Sequence, residues 1–148
     1  MEYLIRSAAP ADAEAIAFIE KQTFSCPWST QAVLSEIEKA YAVFLVCEVG
    51  GDIAGYVSME CIYGECYVGN LAIKPRYRRN GLAAALLRHL ITEAENRNGR
   101  FLTLEVRASN TAAIGLYEQA GFALQGVRRG FYTDPAEDGM IYTLFIKD

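Results

Sequence analysis

The sequence predicts one α/β domain: a mixed, largely antiparallel sheet with helices on both faces. Three observations predict it. Short runs rich in β-branched and aromatic residues, punctuated by glycine turns, alternate with runs whose apolar residues repeat at helical spacing. The 148 residues suffice for one sizeable core, and no composition break, repeat or low-complexity segment divides them. Finally, Asn70 to Leu87 reads as a strand end, a short basic turn and a helix that begins at a glycine, and the chain is organised around it.

The elements follow in order. Tyr3 to Ser7 alternates as a short strand, and Pro10 then opens a helix over Ala11 to Phe24, in a first turn where a missing N–H costs nothing. Phe24-Ser-Cys-Pro-Trp-Ser29 is a turn, with Ser29 as N-cap of a helix over Thr30 to Lys39. Tyr41 to Val49 and Ile53 to Tyr63 read as strands joined by the Gly50-Gly51 hairpin turn. Cys66 to Ile73 returns as a third strand after Gly64, and Gly69 within it marks a bulge or a close backbone approach. A helix runs from Gly81 to about Arg97 and stops at Asn98-Gly99. Phe101 to Arg107 is a strand with Leu102, Leu104 and Val106 on one face and Thr103, Glu105 and Arg107 on the other. Asn110 leads into a helix over Thr111 to Ala120, and Phe122 to Phe131 pairs with Met140 to Ile146 around a loop from Tyr132 to Gly139.

Composition narrows the function. Hydrophobic residues at 52% and charged residues at 22% exclude wholesale disorder. A net charge of −4 argues against a nucleic-acid binder and is compatible with a basic substrate. No signal peptide opens the chain, and no apolar run approaches the ~18 residues of a membrane span. The four cysteines form no C-x-x-C pair, and Cys47 and Cys61 lie in strand-like patterns as small hydrophobes. A reduced, cytoplasmic protein without a metal is expected, a monomer or weak dimer.

The chemistry starts in the basic turn. Pro75 ends the strand, and the helix beyond Gly81 presents backbone N–H groups without intrahelical partners at the positive end of its dipole. Gly81 permits close approach, and Arg76, Arg78 and Arg79 add charge, so an anionic ligand, a diphosphate, is expected here. Neither G-x-x-x-x-G-K-[ST] nor G-x-G-x-x-G is present, which excludes those two nucleotide modes. Glu105 stands mid-strand where glutamate is disfavoured, opposite its apolar neighbours. Asn110 precedes a helix from which Tyr117 projects two turns later; a cap and a core residue are the plainer readings.

These pieces together resemble the GNAT acetyltransferases. Arg78-x-x-Gly81-x-Ala83 is similar to the loop with which that family cradles the pyrophosphate of coenzyme A. Leu104-Glu-Val-Arg-Ala-Ser-Asn110 with Ala113-Ile-Gly-Leu-Tyr117 and Gly121-Phe122 resembles its C-terminal half. Phe24 to Ser29, Asn70-Leu-Ala-Ile73, and Arg128-Arg-Gly-Phe-Tyr132 with Glu137-Asp138 resemble, more narrowly, the RimI-type ribosomal-protein-alanine N-acetyltransferases. The likeness is collinear over roughly residues 5 to 145, within a single expected domain of 1–148. Ala83 replaces the commoner second glycine and Phe131 a common tyrosine.

The resemblance implies an acetyl-CoA-dependent enzyme that acetylates the N-terminal alanine of a basic ribosomal protein, with no direct nucleic-acid contact. It implies a general base at Glu105 and a general acid at Tyr117. Leu71, Ala72, Ile73, Arg78, Arg79, Asn80, Gly81, Leu82, Ala83, Ala84, Asn110 and Tyr117 would contact the cofactor. Trp28 and Tyr132 would wall the peptide, and Glu137 and Asp138 would attract its basic residues. A hydrophobic staple over the following helix is the other reading of Trp28. Lysine or small-amine acetylation, and a non-catalytic acyl-CoA sensor, are the alternatives; Cys61 or Cys66 as an acyl carrier is a further one.

Overall fold

The protein is described by a computed structural model covering residues 1–146, so the last two residues of the expected 1–148 domain lie outside the described residues. Seven strands form one sheet: β1 (Leu4–Ser7), β2 (Ala42–Val49), β3 (Asp52–Ile62), β4 (Glu65–Ile73), β5 (Phe101–Arg107), β6 (Ala123–Tyr132) and β7 (Glu137–Phe145). Their order is β1-β2-β3-β4-β5-β7-β6, and only the β4–β5 pair is parallel. Helices α1 (Ala13–Thr23) and α2 (Thr30–Glu38) cover one face, and α3 (Leu82–Asn96) and α4 (Thr111–Gln119) the other. The expected fold class and element order are therefore found.

Two cores hold the layers together. Leu82, Leu86, Leu90 and Ala94 repeat every fourth residue along α3 and are at most 1% exposed, which seats one stripe of the helix on Leu45, Val57, Met59 and Leu102. Each buried leucine contributes about 1.5–3 kcal/mol from area removed from water. On the opposite face Ile16 and Ile19 of α1 and Val33 of α2 pack on Phe44, Val46 and Tyr56. Ser29 caps α2 as expected, its hydroxyl accepting from the Ala32 N–H at 3.1 Å. No helix among the described residues is long and apolar enough to cross a membrane.

Two details differ from expectation, at Pro10–Asp12 and at the last turn, while the stop of α3 at Asn98-Gly99 is as expected. Pro10–Asp12 is a separate 3₁₀ turn ahead of α1, because the Asp12 carboxylate accepts from the Ala9 N–H and from Arg6 and tightens that segment. Asn98, with φ +59°, takes the left-handed position after α3, while the Gly99 N–H bonds to the Ala94 carbonyl at 2.8 Å. The loop expected over Tyr132 to Gly139 is confined to residues 133–136, so Tyr132 ends β6 while Glu137 and Asp138 belong to β7. Arg107 explains that compactness: its guanidinium donates to the carbonyls of Pro135 at 2.8 Å and Thr133 at 3.0 Å and draws the turn onto the end of β5.

Candidate active site

The parallel pair is the origin of the site. β4 and β5 pair only at Glu65–Phe101, Cys66–Leu102 and Tyr67–Thr103, after which the strands part. From Val68 onward the β5-facing backbone groups of β4 have no strand partner. A bulge lies in the same stretch: Val57 pairs with Leu71 and Met59 with Val68, leaving Ser58 opposite both Gly69 and Asn70. A Cβ on Gly69 would fall 2.6 Å from the Ser58 hydroxyl, so any larger residue here would have to displace that hydroxyl. The extra residue turns Asn70 toward α1, where its amide donates to Glu20 at 2.8 Å, and Leu71 toward the α3 core.

At the far end of β4 the basic turn begins. Asp52 accepts from Lys74 at 3.0 Å, from the Tyr77 hydroxyl at 2.8 Å and from Arg76 at 3.0 Å. Arg76 also stacks over the Tyr77 ring at 4.8 Å, so this arginine braces the turn and is not one of the free cations expected there. Arg78 Nε donates to the Ile73 carbonyl at 3.0 Å, and the Asn80 amide to the Tyr77 and Arg78 carbonyls at 3.1 Å each. Arg79, at φ +64°, is exposed. Gly81 is the N-cap of α3 at φ +75° and provides no side-chain cap, so the first N–H groups of the helix stay open to a ligand. A Cβ at Gly81 would meet nothing within 4 Å. Leu82 has its side chain in the core and Ala83 and Ala84 are half-buried, so what these residues offer is backbone.

Alternation along β5 and the contacts of α4 put Glu105 and Tyr117 on opposite sides of the sheet. Glu105 Oε1 lies 3.5 Å from Arg128 Nε; Oε2 is buried with no hydrogen-bond partner among the described residues. Such an oxygen is costly to leave unpaired and is ready to accept. Tyr117 is 6% exposed, against Phe122, and its phenol is pushed up to about 12, first by burial and then by nearby Tyr132. Asn110 does cap α4, accepting from the Ala113 N–H at 3.1 Å, which leaves its amide NH2 uncommitted by that bond.

The residues expected to contact the peptide lie at two turns. Trp28 precedes the Ser29 cap, and it shares a small cavity with Val33 of α2, the arrangement of a hydrophobic staple. Tyr132 is half-buried with the Arg107 guanidinium 4.6 Å over its ring, and burial raises its phenol. Glu137 accepts from the Ser109 N–H and pairs with Arg107 at 3.3 Å; Ser109 holds its carboxyl below the ordinary range. Asp138 accepts from the Gly130 N–H at 2.8 Å. Both carboxylates thus have internal partners as well as partial exposure. Cys61 and Cys66 face each other at the other, paired end of β4, their sulfurs 2.8 Å apart, and burial pushes the Cys61 thiol up to about 12.

Comparison with known proteins fits this geometry. The model of the Acetyltransferase (GNAT) family matches residues 13–122. The chain belongs to the GNAT acetyltransferases. This GNAT chain is 39% identical over 142 residues to the [ribosomal protein bS18]-alanine N-acetyltransferase of Escherichia coli strain K12, covering 95% of each. The solved structure of the Escherichia coli ribosomal-protein-S18-alanine N-acetyltransferase aligns at a TM-score of 0.91, with 37% identity, covering 99% of this chain and 96% of that one. Arabidopsis thaliana NAA60, solved in complex with acetyl-CoA, shares the fold at a TM-score of 0.89 and 20% identity, over 98% of this chain and 100% of that one.

Within the GNAT frame the structure adds three residues absent from the sequence-based set of candidates. Arg107 holds the 133–136 turn, and Arg128 is the cation beside Glu105. Glu20 is a buried carboxylate under Trp28. Its signal was a charged residue four after Ile16, on the apolar face of α1.

Proposed function

We propose that this GNAT chain transfers an acetyl group from acetyl-CoA to the free α-amine of a protein whose N-terminal residue is alanine, a basic small-subunit ribosomal protein of the bS18 type. The observation that carries the reading is the buried, unpartnered Glu105 Oε2 beside the gap between β4 and β5. The names of the relatives at 37–39% identity support the substrate class.

The residues present fit acetyl-CoA. The uncapped start of α3 offers the N–H groups of Leu82, Ala83 and Ala84 to a pyrophosphate, with the exposed Arg78 and Arg79 beside them. The unpaired edge of β4 offers the N–H and C=O groups of Leu71 and the N–H of Ile73 to an extended amide-bearing arm that runs past Ala72, and the Asn110 amide can donate to the same arm. Acetyl-CoA supplies the acyl group as a thioester.

Glu105 accepts the proton that the α-ammonium must lose, directly or through one water. An α-amine titrates near ~8, so a carboxylate suffices near neutral pH. A backbone N–H on the open edge of β4 donates to the carbonyl oxygen as negative charge grows on it. Tyr117 gives its phenolic proton to the departing thiolate, and burial keeps that phenol protonated until then. The C–S bond breaks as the C–N bond forms, so no acyl-enzyme is needed. Trp28 and Tyr132 wall the peptide, and Glu137 and Asp138, partly neutralised by Arg107 and Arg129 respectively, attract its cations.

The test is incubation with acetyl-CoA and an alanine-initiated basic peptide, with the same peptide α-blocked as control and mass spectrometry to locate the acetyl group. Acetyl on the free α-amine alone is expected. Acetyl on lysine side chains of the blocked peptide at an equal rate would contradict the reading.

A further inference from the structure

We propose that Glu20 is a positioning residue for the acceptor side of the site, holding the Trp28 turn and the β4 bulge at a fixed separation and so setting peptide binding without touching peptide. The proposal rests on the acetyltransferase reading above for its functional consequence, and on geometry alone for the tether.

Glu20 is 1% exposed, on the inner face of α1. A carboxylate so placed is tolerated only when donors surround it. Three do. Oε1 accepts from the Trp28 backbone N–H at 2.9 Å; Oε2 accepts from the Asn70 amide at 2.8 Å and from the Tyr56 hydroxyl. The donors come from three separate elements: the turn before α2, β4 and β3. No lysine or arginine among the described residues pairs with it.

What these donors belong to gives the carboxylate its role. Trp28 is the proposed wall of the peptide site, and the Trp28 side chain lines one small cavity with Val33, Phe44, Tyr56 and Asn70. Asn70 is the residue that the bulge turns away from the α3 face, on a strand that has no β5 neighbour there to fix it. Glu20 is thus a single rigid link between the peptide wall and the strand edge where the acyl group is handled. An apolar side chain among Ile16, Val33 and Phe44 would fill the volume and accept none of these bonds. The pyrophosphate turn lies at the far end of β4 and bonds instead to Asp52, so the end of acetyl-CoA held there, which carries its charge, is remote from the link.

Trp28 is the sole tryptophan, so its fluorescence reports the turn directly. A backbone N–H can only donate, so in Glu20→Gln the amide carbonyl stays on Trp28 and the NH2 group confronts Asn70 and Tyr56. Glu20→Ala severs every arm. Expected in Glu20→Ala are a red-shifted emission, acrylamide quenching raised about twofold, and a peptide KM raised about tenfold with the acetyl-CoA KM within about twofold. In Glu20→Gln the peptide KM rises while quenching stays at the wild-type value. Should Glu20→Ala not fold, Glu20→Gln and Asn70→Ala decide: because they break one shared hydrogen bond, their effects on peptide KM should not multiply in the double variant.

Wild-type quenching in a folded Glu20→Ala overturns the proposal, as do multiplying effects or an acetyl-CoA KM that rises in step with that of the peptide. If the wild type acetylates no acceptor, the acetyltransferase reading and the KM consequence fail together, while the quenching comparison still tests the tether.

Discussion

Glu105 and Tyr117 lie on opposite faces of the sheet, Glu105 on β5 just past the last residue that pairs with β4 and Tyr117 in the core on the α3 side. That sidedness organises the proposed reaction. In that proposal an amine arriving from the α1–α2 face meets a carboxylate, and a thiolate leaving on the α3 face meets a phenol. The two proton transfers are kept on separate sides of the sheet.

Replacing Tyr117 by Phe should lower kcat about 10–100-fold and leave acetyl-CoA affinity nearly unchanged, measured by single-turnover rates and equilibrium binding. With the phenol pushed up to about 12 from its ordinary 10, Tyr117 should add no limb to the kcat profile below pH 10. Its folded value is the higher one, so its contribution to stability is complete below pH 10 and is lost as pH rises through 12. Denaturant melts should therefore show the wild type weakening more steeply than Tyr117→Phe over that window.

Gly81→Ala should weaken acetyl-CoA binding with little change in peptide KM. No protein atom within 4 Å obstructs the new methyl, so the effect comes from the left-handed backbone at φ +75° and from crowding the approach of a ligand. The backbone strain is worth about 1–2 kcal/mol and should also appear as a lowered melting temperature. An unchanged affinity measured by calorimetry would contradict the role of this turn.

Arg107→Lys should raise peptide KM several-fold, because one ammonium cannot reproduce the fork that reaches the Thr133 and Pro135 carbonyls and Glu137. Acetyl-CoA binding is the control and should hold.

The Glu137 carboxyl is held below its ordinary 4.5, first by Ser109 and then by Arg107. A depressed folded value means stability that is present above about pH 4.5 and lost as pH falls through the folded value. The advantage of wild type over Glu137→Gln in thermal melts should accordingly be constant near neutrality and shrink below pH 4.5.

Much of this was legible in the sequence, for identifiable reasons. Alternation along Phe101 to Arg107 gave the correct buried face, because strand periodicity is local, and Ser29 announced its cap. The strand-to-helix turn ending in Gly81 was readable because a left-handed cap and open N–H groups need no tertiary partner. What escaped was set by contacts distant in sequence. Arg76 was expected beside the ligand, and only the fold brings Asp52 to it from 24 residues away. Asn70 is drawn to Glu20 across 50 residues, and Glu137 to Ser109 across 28. Gly69 announced its bulge or close approach; the structure has both, but which side chain the bulge would turn toward α1 depended on Glu20.

The most direct test of the central claim is the pH dependence of kcat for wild type and Glu105→Gln on an alanine-initiated peptide at saturating acetyl-CoA. If Glu105 takes the amine proton, the variant should be about 100-fold slower near pH 7 and should recover toward wild type above pH ~9, where the amine deprotonates unaided. A Glu105→Gln enzyme that matches wild type at pH 7, or whose deficit is the same at every pH, would contradict that assignment.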